Sequence, residues 1–132
     1  GNDVLKFDLS DRIVDGGGGV DRAALQGSDI TLVLDDFNPL TSNDVHALRD
    51  IEVVDITGSG DNEIQLNVRD VLNMSGDGNT LCIDGDDGDA IVSTLQGWLP
   101  GELVDQGGTV YQSYISGTAT LLVDTDLIQT VT

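Results

Sequence analysis

The chain has 132 residues and carries 24 Asp and Glu against 5 Lys and Arg, a formal net charge of −19. This length fits one domain, the 39% apolar content exceeds that of a disordered acidic tail, and no apolar run reaches the roughly 18 residues that a membrane span needs. So negative a surface repels phosphates, so we expect no nucleic-acid partner, and no basic segment leads into an apolar block, so we expect no cleavable signal peptide.

The acidic residues are mostly of one kind. Of the 24, 21 are Asp, and the chain also has 17 Gly. Both residue types favour turns, which predicts many turns between short strands. Short carboxylates in turns suit a hard cation with oxygen ligands, Ca²⁺ before Mg²⁺. The alternative is an acidic surface that keeps the chain soluble and binds no specific ion.

A nine-residue period organises the N-terminal segment. Residues 16–23 match G-G-x-G-x-D-x-U, where U is apolar, and residues 1–5 match the end of that pattern. Asp3 and Asp21 are 18 residues apart, and the apolar slots keep the same spacing at Leu5, Val14 and Ala23. One nonapeptide makes half a coil, so turns two repeats apart stack on one edge, where aspartate carboxylates and glycine carbonyls share a cation. The opposite edge, with Arg12 in the Asp slot, is expected to be empty or closed by that arginine. A flexible glycine linker is the alternative.

After Leu25 the repeat fades into a β-rich segment. Alternating and β-branched residues predict strands at 30–34, 51–57, 64–66, 80–83, 90–92, 110–115, 119–123 and 127–131. Short helices are predicted at 44–49, capped by Asn43, and at 68–74. The glycines near 58, 76 and 85 keep multiples of nine and are either degenerate coils or a coincidence. The chain is therefore predicted to be mainly β.

The acidic turn at 84–89 is a second candidate metal site. Asp84, Asp86 and Asp89 resemble the start of a helix-loop-helix calcium loop, although the Glu at its twelfth position and the flanking helices are missing. The alternative is a solvated acidic turn, because four carboxylates within six residues repel one another. Residues 124–126 are interpreted as a strand edge kept soluble by charge.

The reactive side chains do not predict an enzyme. His46 and Cys82 are each the only residue of their type, and the sequence contains no G-x-S-x-G elbow for a serine nucleophile. Cys82 lies in an apolar run and is interpreted as a small buried residue. Trp98, Tyr111 and Tyr114 are either a saccharide-stacking patch or, as we expect, packing residues, with the two tyrosines on opposite faces of a strand.

The nonapeptides resemble those of the repeats-in-toxin (RTX) family of calcium-binding proteins. This resemblance implies metal ligation by Asp3 and Asp21 and by carbonyls of the turn glycines, so the predicted ligands are Gly1, Asp3, Gly16, Gly18, Gly19 and Asp21. Motifs in the rest of the chain resemble the C-terminal region of large bacterial RTX adhesins; they are the strand at 51–58, the segment at 70–72, the turn at 84–89, Trp98, the hairpin at 111–114 and the strand at 119–126. This implies a type I secretion passenger that folds when it meets extracellular Ca²⁺.

The expected fold is a short RTX-type parallel β-roll stub at 1–27, continuing at 28–132 into a β-solenoid or β-sandwich-like capping domain. The expected function is a non-enzymatic, calcium-binding domain of a secreted adhesin at the bacterial cell surface. Its expected partners are calcium ions and the type I secretion machinery. Two alternatives remain, an adhesion module that binds a glycan or peptide ligand at the cell surface, and a structural spacer that calcium makes rigid.

Overall fold

The computed structural model describes residues 3–7, 13–33, 47–75 and 78–132. The chain is mainly β, as predicted. Within the described ranges the helix is α1 (Val68–Met74), between β7 and β8, and the strands are β1 (Val4–Phe7), β2 (Ile13–Asp15), β3 (Arg22–Leu25), β4 (Thr31–Val33), β5 (Ala47–Arg49), β6 (Val53–Asp55), β7 (Glu63–Gln65), β8 (Thr80–Asp84), β9 (Ala90–Ser93), β10 (Leu99–Gln106), β11 (Thr109–Ser116), β12 (Ala119–Asp124) and β13 (Ile128–Val131).

The described strands form three sheets. The first has seven strands in the order β1-β3-β6-β8-β12-β11-β10, the second has four in the order β13-β9-β7-β4, and β2 pairs with β5. All pairs are parallel except β10 with β11 and β11 with β12. After β3, β6, β8 and β12 the next strand of the chain belongs to the four-stranded or second sheet. The chain therefore winds repeatedly from one parallel sheet to the other.

The register of β1 and β3 reproduces the predicted period. Leu5 pairs with Ala23, so the two strands are offset by 18 residues. The intervening strand β2 contains the third apolar slot, Val14, and pairs with β5 in the separate two-stranded sheet. Arg12, in the turn before β2, lies outside the described residues. The predicted stacking of strands two nonapeptides apart is confirmed.

The core consists of apolar ladders, one from each large sheet. In the seven-stranded sheet Val54 pairs with both Ala23 and Ile83, and in the four-stranded sheet Ile64 pairs with both Leu32 and Ile91. All six side chains are fully buried and belong to one hydrophobic cluster. Because parallel strands in register bury the same face, each coil adds one rung to this core. The cluster includes residues from both expected segments, 1–27 and 28–132, and β3 pairs with β6 across that boundary.

The helix predicted at 68–74 is confirmed as α1. Asn67 caps it, since its side chain accepts a hydrogen bond from the backbone of Asp70 and its backbone donates one to the Asp70 carboxylate, each of 2.9 Å. Val71 and Met74 turn into the core. No helix in the described part of the chain is long and apolar enough to cross a membrane.

Three local predictions differ from the structure. The helix expected at 44–49 is wrong for its described part, because Ala47–Arg49 forms β5 and pairs with the distant β2. Residues 34–46, including Asn43, lie outside the described residues. The strand edge expected at 124–126 is a turn that begins at the last residue of β12. Strand β10 has no predicted counterpart, because its residues are exposed and show no apolar alternation.

Candidate functional site

Three acidic residues stand immediately before three neighbouring strands of the seven-stranded sheet. Asp3 precedes β1, Asp21 precedes β3 and Glu52 precedes β6. The backbone N–H of Arg22 donates to the carbonyl of Asp3 at 2.8 Å, and that of Val53 donates to the carbonyl of Asp21 at 3.1 Å. Because parallel strands begin at the same edge of a sheet, the three acidic residues lie side by side. We call Asp3, Asp21 and Glu52 the acidic row.

Asp21 is the centre of the acidic row. Its side chain is fully buried, and its Oδ1 accepts a 2.7 Å hydrogen bond from the backbone N–H of Asp3. The backbone N–H of Asp21 donates to Oε2 of Glu52 at 2.9 Å. The structure thus brings the predicted residues Asp3 and Asp21 together. Their direct link is a backbone N–H to a carboxylate, whereas Asp3 itself is exposed.

The second carboxylate oxygen of Asp21 has no partner. Oδ2 is buried and forms no hydrogen bond with the described part of the chain. Gly16 lies against it, since a Cβ placed on Gly16 would be 2.7 Å from Oδ2 and would overlap the carbonyl oxygen of Asp50. Two oxygens therefore face Gly16. A buried, ionised oxygen without a partner costs on the order of several kcal/mol, so this position favours a cation or a proton.

The glycine turn before Asp21 has the backbone freedom that the repeat requires. Gly17 and Gly19 have φ of 76° and 116°, values that side chains other than glycine rarely adopt. The predicted ligands Gly18 and Gly19 are exposed, and a Cβ on Gly18 would meet no described atom within 4 Å. Of the remaining predicted ligands, Gly1 lies outside the described residues. The turn therefore packs tightly at Gly16 and is open further along.

Glu52 belongs to the acidic row, although the repeat pattern does not predict it. It follows Asp21 by 31 residues, which is not a multiple of nine, so the spacing rule gives no signal for it. Burial raises the pKa of Glu52 above its ordinary value of 4.5, and the negative charges of Asp21 and Asp50 act in the same direction. Added positive charge at the acidic row is therefore favourable.

Side chains alone do not form a metal site here. In the described ranges, no group of three or more His, Cys, Asp or Glu side chains is arranged to hold a metal ion. An ion at Oδ2 of Asp21 would need main-chain carbonyls for most of its ligands. Glycine-rich turns supply such carbonyls, because they bring the backbone close to the ion.

The three residues of the second predicted site are not brought together. Asp84, at the end of β8, accepts hydrogen bonds from the guanidinium of Arg22 and the hydroxyl of Tyr111. Asp89 is buried, and its two oxygens accept from the backbone N–H groups of Asn62 and Asp86, each at 2.8 Å. The Asp86 side chain is exposed. Asp84 and Asp89 therefore hold the fold together at two different places.

An open acidic cleft of about 490 Å³ lies beside this turn. Four carboxylate residues contribute to its wall, namely Asp84, Asp86, Asp124 and Asp126. Partial burial raises the pKa of Asp86, and the surrounding carboxylates, Asp89 first among them, raise it further. The cleft therefore repels anions.

The aromatic residues in question are used for packing. Trp98 is buried in the main core, and its Nε1 donates a 2.8 Å hydrogen bond to Oγ of Ser93. Tyr111 is buried on the other face of the seven-stranded sheet against Cys82 and Leu122. Tyr114 packs on the main core, which confirms that the two tyrosines face opposite sides. None of the three is exposed as a stacking platform.

The lone cysteine is buried, as predicted. Burial raises the pKa of the Cys82 thiol to about 12, so the thiolate nucleophile is absent at neutral pH. His46 lies outside the described residues. Comparison with models of known protein families, with curated proteins and with solved structures found no match to this chain.

Proposed function

We propose that this chain is a non-enzymatic, calcium-binding extracellular domain of the RTX adhesin type, in which the parallel sheets are coils of a β-roll that continues into a β-solenoid. The observation that carries the proposal is the buried, unpartnered Oδ2 of Asp21 beside Gly16. It occurs at the residue to which the nonapeptide pattern assigns the metal. The strand that follows pairs with β1 at the offset of 18 residues that the pattern requires.

The available donors fit calcium in kind. Ca²⁺ takes about six to eight oxygen ligands and accepts carboxylates and carbonyls alike. Oδ2 of Asp21 and the carbonyls of the glycine turn at 16–19 would hold it, together with the carbonyl of Asp50, which faces Gly16. Gly1 and Asp3 belong to the turn stacked above. When bound, calcium supplies the positive charge that the buried carboxylate lacks.

Calcium would act on this chain through linkage between binding and folding. An ion that binds the folded state at one hundred times its Kd stabilises that state by about 2.7 kcal/mol. The net charge of −19 opposes compaction, because like charges repel most when the chain is folded. Millimolar calcium outside the cell would screen this repulsion and complete the fold. At the much lower calcium level inside a cell, the chain would remain loose enough for export.

The parent protein and its route of export are inferred from the RTX resemblance. We propose that the parent leaves a bacterial cell through type I secretion machinery and acts at the cell surface as an adhesin. In that setting a calcium-dependent fold separates the exported, unfolded state from the working state. The absence of a cysteine pair agrees with a fold that metal binding stabilises in place of disulfides.

The decisive experiment measures calcium binding and folding together. Titration calorimetry of the whole chain with CaCl₂ should show binding, and thermal unfolding should occur at a higher temperature in about 5 mM Ca²⁺ than in EDTA. An equal concentration of Mg²⁺, which prefers a tighter octahedral shell, should raise the melting temperature less. Identical melting curves with and without Ca²⁺, and no binding heat, would refute the proposal.

A further inference from the structure

The outer face of the seven-stranded sheet carries a side-chain network that starts next to the acidic row. Arg22, the first residue of β3, directly follows Asp21. Its Nη1 lies 3.1 Å from Oδ2 of Asp55 on β6 and also contacts Oδ2 of Asp84 on β8. The other oxygen of Asp84 accepts a hydrogen bond from the hydroxyl of Tyr111 on β11. The network therefore links four strands.

The arginine is needed because the register places like charges side by side. Asp55 and Asp84 are direct partners in the parallel pair of β6 and β8. Adjacent strands are about 4.8 Å apart, so two ionised carboxylates in this register repel one another. Arg22 reaches both of them, and its side chain remains only 35% exposed. Without its guanidinium, Asp84 would be pushed from the position in which it holds Tyr111.

Tyr111 fastens the antiparallel hairpin to the parallel coils. Its ring packs on Cys82 and Leu122, in a small cluster separate from the main core. Strand β11 also pairs with β12, but β10 is held in the sheet only through β11 among the described strands. Tyr111 and Asp84 are therefore the outer-face connection between this hairpin and the strand that Arg22 holds.

We propose that Arg22 couples occupation of the glycine turn to the closure of the β10–β11 hairpin. This inference rests on the proposed function. An ion at Asp21 fixes the start of β3, and the backbone of Arg22 is already tied there through its hydrogen bond to the carbonyl of Asp3. With β3 fixed, the guanidinium stays between Asp55 and Asp84, and Asp84 stays on Tyr111. When the turn is empty and the start of β3 opens, the contact is lost and the hairpin loosens.

The test is amide hydrogen exchange of the whole chain, measured with calcium and with EDTA. In the wild type, calcium should slow exchange in β11 by about tenfold, within the usual range of coupling between two sites. Arg22→Gln should reduce this effect to less than about twofold, while Arg69→Gln, which removes the same charge from α1, should keep it. By reciprocity, Arg22→Gln should weaken calcium binding in calorimetry by no more than about tenfold.

A second variant keeps the test decisive if Arg22→Gln fails to fold. Tyr111→Phe retains the ring and every charge but lacks the hydroxyl that contacts Asp84. It should keep the calcium effect in β8 and lose it in β11. If calcium binds and still protects β11 equally in these variants, the coupling is refuted and the calcium proposal stands. If the wild type shows neither binding heat nor protection, both proposals fail.

Discussion

The backbone N–H of Asn62 donates a 2.8 Å hydrogen bond to the buried Oδ1 of Asp89, 27 residues further along the chain. Oδ1 of Asn62 in turn accepts from the backbone N–H of Ile30 at 2.9 Å. Two side chains thus join three successive turns that lead into the four-stranded sheet. The spacing of 27 is three nonapeptides and relates the turn at Gly58 to the turn at Gly85. Gly78, by contrast, precedes a strand of the seven-stranded sheet.

Replacing Asp89 tests this ladder. Asp89→Ala removes the acceptor of two backbone N–H groups, and leaving such groups unsatisfied should lower the free energy of unfolding by about 3 kcal/mol. Urea denaturation followed by circular dichroism measures the loss. Asp87→Ala removes an equal charge from an exposed position of the same turn and should change stability by less than about 0.5 kcal/mol. Equal losses in the two variants would contradict a structural role for Asp89.

Gly85 supports the last coil by leaving room for an apolar side chain. A Cβ on Gly85 would overlap the side chain of Leu127, which occupies the position of Asp89 in the next turn. Gly85→Ala should therefore destabilise the chain by about 1–3 kcal/mol through overpacking. Gly78→Ala is the matched control, because no described atom lies within 4 Å of a Cβ there and its φ is not positive. A Gly85→Ala melting temperature equal to that of the control would show that Leu127 can move aside.

The sequence predicts those parts of the fold whose signal is local. The offset of β1 and β3 could be read directly, because Asp3 and Asp21 repeat at the distance at which coils stack. Strands such as β4 and β6 were predictable from alternating, β-branched residues that bury one face. For the candidate site, the same period identified Asp21 and its glycine turn.

Features that depend on distant pairing could not be predicted. Strand β5 is three residues long and its β structure depends on pairing with β2, so its local helical pattern was misleading. Glu52 reaches the acidic row at an offset outside the nine-residue period. The contact of Arg22 with Asp84 joins residues 62 positions apart, and neither residue carries a local sign of it. In all three cases tertiary packing places the residue, and a single sequence contains no period that reports it.

Alkaline titration tests the burial of Cys82. Its pKa is raised from 9.0 to about 12 in the folded chain, so between these values the unfolded chain loses a proton that the folded chain keeps. The stability contributed by the neutral thiol is therefore complete below pH 9.0 and is lost as the pH rises toward 12. Urea denaturation at about pH 8 and about pH 11 should show a decline that is shallower in Cys82→Ala, by about 1.4 kcal/mol per pH unit at most. Parallel declines would mean that the thiol ionises freely in the folded chain.

Asp21→Asn separates the structural role of Asp21 from its charge. The amide oxygen can still accept the hydrogen bond from Asp3, and the amide nitrogen replaces the unpartnered Oδ2 with a donor close to the carbonyl of Asp50. In EDTA this variant should be more stable than the wild type by roughly 1–3 kcal/mol, because a buried, unpaired charge is gone. Added calcium should no longer raise its melting temperature. Asp105→Asn loses the same charge at an exposed hairpin residue and should keep the wild-type calcium response. A full calcium response in Asp21→Asn would place the ion away from the acidic row.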